Sequence, residues 1–79
     1  MNIEHPLLKY VKNEESALFM EELIAKQSNL KFLVVSERKT HIGLMQYHKL
    51  RGDFKISINN NLTPSYFLYV FLHEYAHLQ

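Results

Sequence analysis

Apolar positions along the chain follow two periods. Leu7, Leu8 and Val11 fall on one face, and Pro6 suits a first helical position, which predicts a short helix over 6–11. Asn13 suits an N-cap, and Glu14 and Glu15 favour the positive end of a helix dipole. Ala17, Met20, Leu23, Ile24 and Gln27 keep the spacing of a helix face, which predicts a second helix over 14–27. Leu18 and Phe19 widen its apolar stripe.

Ser28 and Asn29 break that pattern. Residues 30–36, rich in Val, Leu and Phe, predict a strand buried on both faces. Residues 40–48 predict a second strand, with Gly43 marking a bulge or a close approach. A loop over 49–53 carries Gly52, which can take a positive φ. Phe54, Ile56 and Ile58 alternate with Lys55 and Ser57, the period of a half-buried strand. The last two strands are expected to form an antiparallel hairpin. After the turn-forming run Asn59-Asn60-Asn61, Thr63 is expected to cap a helix that has Pro64 at its first position. From Tyr66 to Leu72 this helix is apolar on all sides, the pattern of a buried helix, and it is expected to run to Gln79. The sum is an α+β fold: two N-terminal helices, a small three-stranded sheet containing a hairpin, and a long buried C-terminal helix.

Composition narrows the chemistry. At 79 residues the chain is one domain with a marginal core. The absence of Cys excludes disulfides, thiolate zinc sites and thiol catalysis. No secretory leader is read at the N-terminus and no stretch is long enough to span a bilayer, so a cytoplasmic protein with no membrane partner is expected. The middle, 31–58, carries six basic residues against Glu37 and Asp53. Arg38, Lys39, Lys49, Arg51 and Lys55 cluster around the hairpin, as candidate contacts to a DNA phosphate backbone or as a solvated sheet face. Tyr47 and Phe54 read either as base-stacking residues or as a cross-strand pair.

The C-terminal helix carries His73-Glu74-Tyr75-Ala76-His77, an HExxH motif. Residues four apart on a helix share a face, so two imidazoles can grip one zinc ion. Glu74, beside the first ligand, can act as a general base on a water activated by the metal. Tyr75 lies on another face and is expected to point away. Tyr10, Tyr66, Tyr69 and Tyr75 are expected to pack with a polar tip.

The stretch from Ile56 through Asn59-Asn60-Asn61-Leu62-Thr63-Pro64 to Leu68, followed by His73-Glu74-Tyr75-Ala76-His77-Leu78, resembles SprT-like zinc metallopeptidases, and most closely the bacterial, Bacteroidetes-type members. His5-Pro6-Leu7-Leu8-Lys9-Tyr10-Val11, Arg38-Lys39-Thr40 and Gly43 extend the resemblance over most of the chain. It implies a zincin-like peptidase acting on a protein or peptide, with His73 and His77 on zinc and Glu74 catalytic. Spartan-type eukaryotic relatives cut proteins crosslinked to DNA. The family draws a third ligand, a His, from beyond the HExxH helix. The chain is therefore expected to be a single SprT-like domain over 1–79, truncated after that helix and inactive or weakly active as it stands. His5, His41 and His48 read chiefly as surface residues rather than substitute ligands. The exposed apolar helix would favour self-association. The alternative is a non-catalytic module that binds nucleic acid through the basic hairpin or self-associates.

Overall fold

The computed structural model describes residues 7–78. The order is α1 (Leu8–Val11), α2 (Glu14–Ala25), β1 (Leu30–Val35), β2 (Gly43–His48), β3 (Asp53–Asn59) and α3 (Pro64–Ala76). This is an α+β arrangement of N-terminal helices, a three-stranded mixed sheet and a C-terminal helix. α3 ends at Ala76, short of the expected Gln79, with His77 and Leu78 in a turn; Pro6, the expected start of the first helix, and Gln79 lie outside the described residues. No described helix is long and apolar enough to cross a membrane.

Local chemistry accounts for the helix ends. Asn13 caps α2, its Oδ1 accepting from Ser16 N at 3.0 Å. α2 ends at Ala25, two residues before the expected Gln27, and Lys26 closes it with an N–H to Glu22 O. Lys12 ends α1 in the left-handed region at φ 56. Thr63 stands at the N-cap of α3, but its side chain makes no capping hydrogen bond. Its carbonyl instead accepts from Phe67 N at 2.8 Å.

The sheet order is β1-β3-β2. β3 pairs in parallel with β1 and antiparallel with β2, so the expected hairpin forms around a central third strand. Gly52, at φ 68, closes its loop, donating to His48 O at 2.7 Å. Tyr47 and Phe54 are the expected cross-strand pair, with ring centroids 4.8 Å apart. β2 starts at Gly43 rather than at residue 40, because residues 36–42 must first pass over the end of β3 to reach its far side.

Two burial expectations are corrected. β1 is not buried on both faces: it lies at the sheet edge, with Lys31 exposed and Leu33 47% exposed. β3 is the strand buried on both faces over its last four residues, Ile56 to Asn59. Leu18 and Phe19 do not widen the buried stripe of α2; both are exposed, while Ala17 and Met20 are sealed.

The core lies between the sheet and α3. Phe32, Ile56 and Met45 are register partners on one sheet face, as are Val34, Ile58 and Gly43. Phe67, Val70, Phe71 and Tyr75 of α3 are buried. Phe32 meets Phe67 and Phe71 edge-on at 6.4 and 5.5 Å. Tyr10 stacks on Phe67 at 5.1 Å, so α1 also packs on the helix. α3 is thus not buried all round: Tyr66, Tyr69 and Leu72 are exposed.

Phe67 is in ring contact with both α1 and β1, so truncating it opens the centre of the core. Phe67→Ala is expected to cost about 3–5 kcal/mol, most of the stability of a domain this small. Urea unfolding should then show no cooperative transition in the variant. A midpoint near wild type would contradict this packing.

Candidate functional site

α3 has two faces because its rows repeat at helical spacing. Phe67, Val70, Phe71 and Tyr75 hold one face in the core. Tyr66, Tyr69, His73 and His77 lie on the exposed side. The phenol of Tyr75 donates to Leu23 O at 2.8 Å, which anchors the end of α3 to α2 and turns this residue away from the motif histidines, as expected.

The imidazoles of His73 and His77 have centroids 5.2 Å apart at 87°. Two imidazoles on one tetrahedral zinc, at Zn–N of about 2.0–2.1 Å, would have centroids about 5 Å apart. The pair therefore fits a shared ion. Neither ring has a hydrogen bond or ion pair among the described residues, so the nitrogens remain available as donors to a metal. His77 is the C-cap of α3, and its N–H points to Glu74 O and Tyr75 O. The second motif histidine thus sits on the tightened last turn rather than in the helix body.

Tyr69 stacks on His73 at 6.4 Å, and Tyr66 stacks on Tyr69 at 6.2 Å. These tyrosines do not pack inside as expected. They are 42% and 63% exposed for Tyr66 and Tyr69, forming an aromatic row that leads to the first histidine.

Glu74 is half-buried and faces an open cleft of about 420 Å³. Tyr66, Tyr69, Val70, His73 and Glu74 form one wall, and residues 40–43 form the other. His41 therefore shares a cleft with His73 and Glu74. His48 is at the opposite end of β2, paired with Asp53 and about 17 Å of strand away from Gly43. His5 lies outside the described residues. Among the described residues no group of three or more His, Asp and Glu side chains comes together as a metal cage.

The basic residues are not brought to one surface on equal terms. Arg38 is spent inside the fold: Nε donates to Asn59 Oδ1 at 2.9 Å, Nη1 to Ser57 Oγ at 2.9 Å and Nη2 to Ser57 O at 3.2 Å. Arg51 lies 3.7 Å from the Asp53 carboxylate. Lys39 and Lys49 are exposed, and Lys55 stands opposite Lys31 and Gln46 in the sheet.

Asn59 supports the cleft but carries no signal in the sequence pattern, where it reads as the start of a turn run. Its Nδ2 donates to the carbonyls of Arg38 and His41 at 3.3 and 2.8 Å. Ser57 and Asn59 are buried polar residues satisfied by this network, which pins the wall of the cleft to β3. Compared with family models, curated proteins and solved structures, the chain has no significant match to any of them.

Asn59→Ala leaves two carbonyls and the Arg38 guanidinium short of a partner. It is expected to destabilise the chain by about 1–3 kcal/mol, against about 0.5 kcal/mol or less for Lys39→Ala at an exposed position. Equal urea midpoints for the two variants would show that the network does not hold the loop.

Proposed function

We propose that the chain carries the helix-borne part of a SprT-like, zincin-like zinc metallopeptidase site, acting on protein or peptide substrates. One observation carries the reading: His73 and His77 stand a helical turn apart with free imidazoles at the spacing of a shared ion, and Glu74 between them faces a cleft. The resemblance of residues 56–78 to SprT-like sequences supports it, as does the placement of the motif helix against a mixed sheet.

His73 and His77 would hold the zinc. A zinc ion there would polarise a peptide carbonyl and acidify a water. Glu74 accepts the proton of the attacking water and returns it to the departing amine. Glu74 is half-buried at the cleft, and the core holds the helix behind it. A catalytic zinc takes three protein ligands. A third donor, beyond the two that α3 supplies, is part of the proposal.

The Arg38 hydrogen bonds weigh against the nucleic-acid module as the first reading, because they engage one of its five candidate residues internally.

Zinc-dependent cleavage of a denatured protein is the direct test. Glu74→Ala should lose about 10²–10⁴-fold in rate while still binding zinc, and His73→Ala should lose the zinc. Cleavage at the wild-type rate by Glu74→Ala would remove this residue from the chemistry.

A further inference from the structure

Gly43 opens β2 where Val70 and Glu74 of α3 lie against it. Its register partner is Ile58, which is fully buried. Cross-strand partners point to the same face, so a side chain at position 43 would point into the helix. A Cβ there would lie 2.4 Å from Val70 Cγ1, 3.4 Å from Glu74 Cγ and 3.6 Å from Glu74 Oε2. The first separation cannot persist: the Val70 side chain, the strand or the helix must shift. The other two are contact distances.

Val70 and Glu74 are four residues apart on α3, so they lie one above the other on one face. Both rest on the same bare Cα. The Glu74 carboxylate makes no hydrogen bond or ion pair among the described residues. Glu74 Cγ and Oε2 lie instead against the open space at Gly43, which is part of the surface they pack on.

We propose that Gly43 is a positioning residue for Glu74: the missing side chain forms a niche between β2 and α3 that aims the carboxylate along the cleft. This rests on the reading of Glu74 as the proton acceptor. It adds a requirement that the HExxH pattern does not contain, namely a glycine on a neighbouring strand. A side chain at 43 would push Val70 away and carry the turn bearing Glu74 with it. His73 and His77, on the exposed side, would keep their spacing.

The test uses Gly43→Ala, Val70→Ala and the double variant, in the full chain loaded with zinc. Gly43→Ala should lower kcat about 10- to 100-fold, with KM and zinc affinity unchanged. Val70→Ala removes the blocking methyl, so the double variant should recover the kcat of Val70→Ala alone. A folded Gly43→Ala with wild-type kcat would overturn the proposal, and so would a folded double variant that recovers nothing. A second readout needs no activity. The NMR contact between the Gly43 α-protons and the Glu74 γ-protons should be present in wild type. It should be lost in Gly43→Ala, and it should return in the double variant as a contact from the new methyl. A wild-type chain that does not cleave gives no kcat to compare, and this contact then decides the niche by itself. Its absence in wild type would overturn the proposal.

Discussion

The seating of α3 on the sheet is the contact on which the rest depends. Phe67 and Phe71 meet Phe32 edge-on, and Val70 lies against the bare backbone of Gly43. These contacts join the last element to the first and second strands. Tyr10 and Tyr75 then tie α1 and α2 to the same helix. A domain of this size has few other places to bury apolar surface, so the helix that carries the motif is also the helix that makes the core.

That double use sets the geometry of the site. One row of α3 is fixed by burial at Phe67, Val70, Phe71 and Tyr75. The opposite side must then face solvent, and it carries Tyr66, Tyr69, His73 and His77. Glu74 falls between the two, half-buried against β2. The histidines have no hydrogen-bond partners among the described residues, and the helix alone sets which side they face. The far wall of the cleft has a separate support. The connection over 36–42 crosses the end of β3 and is held there by Arg38, Ser57 and Asn59.

Much of the fold was legible in the order of elements, because period and turn chemistry are local properties. Asn13, Gly52 and the pairing of Tyr47 with Phe54 each behave as the local pattern implies. Strand burial was not legible, because it depends on which strand is central. The most apolar strand, β1, lies at an edge, whereas β3 is buried on both faces although Ser57 and Asn59 are polar. Their burial requires a partner nineteen and twenty-one residues away, Arg38, and no spacing rule points to it. That His73 and His77 share one face of α3 was legible through the i, i+4 rule. The glycine niche was legible only as a close approach, since its partner Val70 is far away in the chain.

The proposed function depends on His73 and His77 holding one metal ion together. X-ray absorption at the zinc edge, on the chain loaded with one equivalent of zinc, measures this most directly. Scattering from imidazole nitrogens at about 2.0–2.1 Å is expected, with one imidazole lost in His77→Ala and one in His73→Ala. An oxygen-only shell, or a spectrum that neither substitution alters, would contradict it.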